Sequence, residues 1–132
     1  MPFVIDSSVA ACWAFDDEDH PAAAKSLERL RSDEARVPSL WWFEIRNVLI
    51  VNERRGRLSE ANVAAFLHGV SRLGITIDRM PDETAVLSFA RRHRLSVYDA
   101  AYLELANREG LILATLDQEL VRAARAESVP LL

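Results

Sequence analysis

The chain is poor in the residues on which several structural and catalytic classes depend. Cys12 is the one cysteine among 132 residues, which excludes an intrachain disulfide and any zinc cluster built on several thiolates. It falls in a small, apolar helical stretch, where inert packing is expected rather than reactivity. Four dispersed glycines leave no loop able to cradle a phosphate. No apolar run nears the ~20 residues of a membrane span. The chain starts on a strand rather than a basic, then apolar, then small-residue leader, so a soluble cytoplasmic protein is expected. Lysine is scarce too: Lys25 stands alone, and arginine supplies the other 15 of 16 basic residues. Arginine's planar fork suits phosphate, but an arginine-rich coding bias would look the same. The net charge is −4, or −2 with one bound divalent ion, so composition leaves nucleic acid as a partner open.

What is present is a chain that is 50% hydrophobic, enough for one globular domain over residues 1–132 with a proper core. Phe3–Ile5 reads as a buried strand, followed by a helix from Asp6-Ser7-Ser8 to about Phe15. The acidic run Asp16–Asp19 reads as an exposed loop with no metal role. Pro21 starts a second helix, to about Arg31, with Ala24, Leu27 and Leu30 as its stripe. A short extended segment at Arg36-Val37 ends at Pro38. The third helix runs from near Ser39 to Gly56, and the fourth starts at Ser59-Glu60 with Val63, Phe66, Leu67 and Val70 facing inward. Ile75–Ile77 is a strand, and Pro81 opens a fifth helix carrying Val86, Phe89 and Ala90. A sixth helix covers Tyr98–Arg108, a strand Leu111–Leu116 and a last helix Asp117–Ala126. Val129–Leu131 can add an edge strand, where Pro130 is tolerated. Strands alternating with amphipathic helices predict a three-layer α/β/α sandwich around a central parallel sheet. Its functional site should lie beyond the carboxyl ends of the strands.

Four acids occupy costly positions. Asp6 and Asp117 each follow an apolar strand-like run. Glu44 and Asp99 lie on the apolar sides of helices. Buried carboxylates are expensive unless paired or bound to a cation, and oxygen-only ligands select Mg²⁺ or Mn²⁺. Each aspartate alone has a competing role as a helix cap. Asp6 precedes a helix, Ser96–Asp99 has capping-box spacing, and Thr115-Leu116-Asp117-Gln118 offers another box. Glu44 has no such role. It shares the apolar sector of its helix with Trp41, Val48 and Val51, and pairing with Arg46 is poor at a spacing of two. Asn47, one turn on, is placed to orient it. Taken together, the four point to a shared site.

Other features point less clearly. His20, His68 and His93 lack ligand spacing and fit surface positions. Arg91-Arg92-His93-Arg94 reads as a solvated helix end favoured by the dipole, or as a phosphate contact beside Asp99. Trp41 and Trp42 read as core or interface anchors rather than base-stacking platforms.

These residues resemble those of the PIN-domain ribonucleases, and within them VapC, the toxin of VapBC toxin–antitoxin pairs. The resemblance spans the chain. It rests on Phe-Val-Ile-Asp6-Ser-Ser-Val, Glu44-Ile-Arg-Asn47-Val-Leu, Leu95-Ser-Val-Tyr-Asp99-Ala-Ala-Tyr-Leu-Glu-Leu-Ala and Leu-Ala-Thr115-Leu-Asp117-Gln-Glu-Leu. It implies a PIN domain with sheet order 3-2-1-4-5, and an acidic catalytic set of Asp6, Glu44, Asp99 and Asp117. It further implies that Asp6, Asp99 and Asp117 hold metal, and that Ser7 or Ser8, Asn47 and Thr115 support the acids. By the same resemblance the cofactor is Mg²⁺, with Mn²⁺ accepted, and the substrate RNA, cleaved to a 5′-phosphate and a 3′-hydroxyl. The expected partners are an inhibiting antitoxin and a second copy in a homodimer.

Two other readings compete. One is a non-catalytic interaction module of the same fold, whose acids only cap helices. The other is an aspartate-based phosphatase or receiver domain. That reading expects paired acids at the first strand and a lysine after a later one, whereas Lys25 lies in an early helix.

Overall fold

The computed structural model describes residues 1–15 and 17–132; of the acidic run, Asp16 lies outside the described residues. The chain opens with β1 (Phe3–Ile5), α1 (Ser7–Cys12), α2 (Pro21–Arg29) and β2 (Ala35–Pro38). It continues with α3 (Leu40–Arg54), α4 (Glu60–Ser71), β3 (Ile75–Asp78) and α5 (Glu83–His93). The closing elements are α6 (Val97–Glu109), β4 (Ile112–Ala114) and α7 (Gln118–Ala126). All strand pairs are parallel, in the order β3-β2-β1-β4. The expected fifth strand is reduced to one parallel bridge, Leu113 to Leu131, on the open side of β4. There the Leu113 amide donates to the Pro130 carbonyl, and the Leu132 amide to Leu113.

Phe3, Val4 and Ile5 are wholly buried, as a strand covered on both faces must be. Each contributes about 1.5–3 kcal/mol of apolar transfer. The chain steps from β1 to β2 to β3 in one direction and then crosses back to β4. Right-handed crossovers therefore put α1–α4 on one face and α5 and α6 on the other. Accordingly α6 packs against β1, β2, β4 and α7, while α3 packs on β2 and α2 on β4. The reversal leaves β1 and β4 side by side at the switch point, the place where α/β sheets carry ligands.

Several elements differ from expectation. Helix α1 closes at Cys12 rather than Phe15. Its last amides turn back three residues, and the Trp13 indole N–H donates to the Ala23 carbonyl at 2.9 Å, drawing the chain towards α2. Helix α2 buries Ala23, Ser26 and Leu30, whereas Ala24 and Leu27 are exposed. Helix α4, closed by a reciprocal Ser59–Asn62 cap, has no buried residue. Its Val63, Phe66, Leu67 and Val70 are only half-buried, because α4 packs mainly on α3 and leaves an open groove towards Trp13 and Leu27. Helix α5 is capped by Asp82 rather than opened by Pro81. His93 is buried against Glu127 at 2.6 Å, not a surface residue. Trp41 is in the core and Trp42 is exposed. Among the described residues no helix is long and apolar enough to cross a membrane.

One polar network ties the second helical layer to the sheet. Glu104, on α6, is 1% exposed. It accepts from the Asp82 amide at 3.0 Å and from Arg108 Nε at 2.8 Å. Arg108 also donates to Asp78 at the end of β3, at 2.7 Å. Removing the arginine would strand a buried carboxylate. Arg108→Ala is therefore expected to lower stability by about 3 kcal/mol in urea unfolding, and adding Glu104→Gln should recover part of that loss. A change below ~0.5 kcal/mol, the scale of an ordinary surface substitution, would refute this role.

Candidate metal centre

Asp6 is the first residue past β1, and its amide still donates to Ala114 of β4 at 3.1 Å. Its carboxylate then caps α1, accepting from the Val9 amide at 3.1 Å. Asp6 is 4% exposed, so both its oxygens need donors. Ser8 Oγ donates to Oδ1 at 2.6 Å, and Thr115 Oγ1 donates to Oδ2. Each hydroxyl in turn accepts an amide from the turn after β4. Leu116 donates to Ser8 and Asp117 donates to Thr115, both at 3.0 Å. Two hydroxyl relays thus connect Asp6 to the segment that carries Asp117. The capping and site roles of Asp6 are compatible, and Ser8 serves the carboxylate instead of replacing it as the cap.

Asp117 caps α7 with a single oxygen: Oδ1 accepts from Glu119 at 2.9 Å and Leu120 at 3.2 Å. Asp99 sits in the first turn of α6, whose N-cap Ser96 accepts the Asp99 amide at 3.0 Å. Both acids are half-buried. Glu44 is also half-buried and reaches across from α3, where Oε1 accepts the phenol of Tyr102 at 2.5 Å. Tyr102 is 1% exposed and lies one turn beyond Asp99 on the same helix. The expected partner, Asn47, is exposed and forms no side-chain hydrogen bond to Glu44. Residue 47 lies on the solvent side of α3, whose buried stripe runs Trp41, Ile45, Leu49 and Asn52. Tyr102 is thus the residue that reading the chain missed as part of this group. Its signal was the three-residue spacing from Asp99, which puts both on one helix face.

The acids influence one another. Burial pushes the Asp6 carboxyl above its ordinary range against the pull of Ser8, Thr115 and Val9, and the Asp117 charge adds to the rise. Asp99 is raised first by burial, then by the charges of Asp117 and Asp6. The Tyr102 phenol is raised strongly by burial and by Glu44, with Asp6 adding to it and a Ser7 hydrogen bond opposing it in part. Among the described residues no basic side chain forms an ion pair with Asp6, Glu44, Asp99 or Asp117. Asp78, Glu104 and Glu127, buried or half-buried elsewhere, each have one, whereas the half-buried Glu53 has none among the described residues. Carboxylates without a basic partner, two of them with carboxyls raised by burial and neighbouring negative charge, form a donor set suited to a hard divalent cation. They are not drawn together tightly. No three of the four bring ligand oxygens within 4.8 Å of one another.

Comparison with known proteins identifies the family. The PIN domain family model matches residues 3–126. The chain belongs to the PIN domain family. This PIN domain is 30% identical over 120 residues to Ribonuclease VapC3 of Mycobacterium tuberculosis, covering 91% of the chain and 85% of the relative. It is 29% identical over 134 residues to Ribonuclease VapC3 of Pyrobaculum aerophilum, covering 98% of the chain and all of the relative. Its kinship is thus with VapC-type PIN domains. In fold it is similar to the crystal structure of PAE2754 from Pyrobaculum aerophilum, with a TM-score of 0.74 at 24% identity over 93% of this chain and 84% of that one. It is also similar to FitAcB from Neisseria gonorrhoeae, with a TM-score of 0.57 at 16% identity over 99% and 96% of the two chains.

The raised Asp99 carboxyl has a consequence for the metal-free PIN domain. A folded-state pKa above the unfolded value of 3.8 means stability that is full below that pH and lost as pH rises through the folded value. At neutral pH the ionised group is then a cost. Asp99→Asn is expected to unfold at higher urea than the wild type at pH 7 in EDTA, with the gap closing towards pH 4. Equal midpoints at pH 7, or a gap that widens on acidification, would refute the electrostatic account.

Proposed function

We propose that this PIN domain is a metal-dependent endoribonuclease that hydrolyses RNA phosphodiester bonds as the toxin of a toxin–antitoxin pair. The observation that carries the reading is the set of four carboxylates at the carboxyl edge of the sheet with no basic side chain paired to them. The names of its VapC relatives supply the substrate class. Asp6, Asp99 and Asp117 would hold Mg²⁺, or Mn²⁺ in its place, with Glu44 completing the set. A bound ion of this kind lowers the pKa of water to make a nucleophile and offsets charge on the scissile phosphate.

The chain's own residues prepare the site for that chemistry. Ser8, Thr115 and the Val9 amide fix Asp6 in one orientation, so little is lost in ordering it on binding. Tyr102 holds Glu44 towards Asp99's helix. A carboxylate of the set can take the proton from the attacking water. Ser7 stands beside the Tyr102 phenol. Asn47, on the solvent side of α3, is free to meet substrate rather than to brace Glu44. The neutralisation of the carboxylates by metal accounts for an acidic protein acting on a polyanion.

An antitoxin is the proposed inhibitor. An open apolar groove between α2 and α4, lined by Trp13, Leu27, Phe66, Val70 and Leu73, supports a helical partner there. Trp42 and Phe43, 43% and 68% exposed on α3, support a homodimer contact. The interaction-module reading is favoured by no observation of its own, since it leaves the unpaired acids unexplained. The phosphatase or receiver reading requires a lysine at the site, and Lys25 is exposed on α2.

The direct test is to sequence the RNA ends produced when the wild type and Asp99→Asn are each expressed without an antitoxin. The wild type should generate new 5′-phosphate ends at defined positions. Asp99→Asn should reduce them at least about a hundredfold, the effect of losing several kcal/mol of metal-borne stabilisation, while remaining folded. In vitro, Mn²⁺ should raise the melting temperature of the wild type and not of the variant. Undiminished cleavage by Asp99→Asn would overturn the assignment, and Mn²⁺ binding without any cleavage of RNA would overturn the substrate.

A further inference from the structure

A second group of potential ligands lies where α1 leads into α2. Cys12, Glu18 and His20 place a thiol sulfur, a carboxylate oxygen and an imidazole nitrogen all within 4.8 Å of one another. Among the described residues it is the one group of three such side chains so close together. A metal site here departs from the expectation that the acidic run carrying Glu18 has no metal role. That expectation rested on its solvated composition and on spacings of six and two, which match no metal motif. The tight turns after Cys12 and the approach into α2 bring the three side chains together.

None of the three is committed elsewhere in a way that forbids ligation. Cys12 is 6% exposed, and its thiol lies 3.4 Å from the Ser8 carbonyl and beside the Glu18 carboxylate. His20 occupies the N-cap position of α2 without a side-chain capping hydrogen bond. Glu18 Oε1 is 3.6 Å from Arg57. That arginine is also held by Asp17 at 3.2 Å and stacks over Phe15 at 4.2 Å, so it keeps partners if Glu18 turns away.

We propose that Cys12, Glu18 and His20 form a second metal site, selective for a borderline cation such as Zn²⁺ and separate from the carboxylate centre. One thiolate, one imidazole and one carboxylate, with water in fourth place, is a ligand set that zinc accepts and that Mg²⁺ does not favour. Metal–ligand lengths of about 2.0–2.3 Å imply ligand–ligand separations of roughly 3.3–3.8 Å in a tetrahedron, so only a small contraction of the trio is needed. Binding transfers the Cys12 thiol proton to solvent, since thiolate is the ligand. Free of metal, the thiol holds that proton firmly, because burial and the Glu18 carboxylate push it up to about 11. A bound ion would cross-link the end of α1 to the start of α2.

Cobalt(II) titration of the full chain, followed by absorbance, tests this. One equivalent of Co²⁺ should produce a near-ultraviolet thiolate-to-cobalt charge-transfer band. Zn²⁺ should displace it and excess Mg²⁺ should not. Cys12→Ser should abolish the band. His20→Ala, at an exposed position where folding is not at risk, should weaken Co²⁺ binding by more than the about 10–100-fold that losing a supporting partner costs. Asp99→Asn should leave band and affinity unchanged. A wild type without the band, or a His20→Ala variant that binds as tightly as the wild type, would overturn the proposal.

Discussion

A carboxylate without a counter-ion, sealed between two parallel strands, is the constraint around which this molecule is arranged. Asp6 lies where β1 ends, under the crossover that makes β4 its neighbour, and it cannot be solvated there. Its stability depends on donors supplied locally by α1 and, from over a hundred residues away, by the turn after β4. Those same hydroxyls fix the amides of Leu116 and Asp117. The turn that delivers the fourth acid is therefore shaped by the first. Sheet order, helix start and site geometry meet in one hydrogen-bonded group, and the unfavourable burial of Asp6 is what makes each part necessary.

The remaining acids depend on the same logic in weaker form. Asp99 and Asp117 are half in water, and Glu44 has a phenol for company. What they share is the lack of any basic side chain, in a chain whose arginines pair freely with acids elsewhere. An arginine at this edge would have relieved the repulsion and stabilised the domain. Without one, the repulsion among these carboxylates is left standing at the edge of the sheet.

Much of this was legible in the chain because local patterns carry it. An apolar triplet followed by Asp6, and a longer apolar run followed by Asp117, mark strand ends through burial and capping alone. Glu44 among Trp41 and Val48 could be read from helical period. The period does not say whether anything covers a face. Val63, Phe66 and Val70 form a stripe in sequence, yet α4 leaves them half open, and the α2 stripe is rotated by one residue from its expected position. Tyr102 is core, but its hydroxyl belongs to Glu44, 58 residues away. His93 looked like part of a wet arginine run and is buried by Glu127, 34 residues on. Each of these depends on a partner that only the folded chain brings near.

The hydrogen bond between Tyr102 and Glu44 joins helices from opposite layers around the end of the sheet. Asp99 and Tyr102 ride on one helix a single turn apart, while Leu103 and Ala106 of that helix are locked into the core. The rotation of α6 about its own axis is thereby set twice, once by oil and once by charge. Substitutions along α6 can drift as long as size is respected. A one-residue insertion within it would swing everything beyond through about 100°, sending core residues to water and breaking the bridge together. In descendants of this chain, changes of length should therefore gather in the connections around α4 and leave α6 a constant measure.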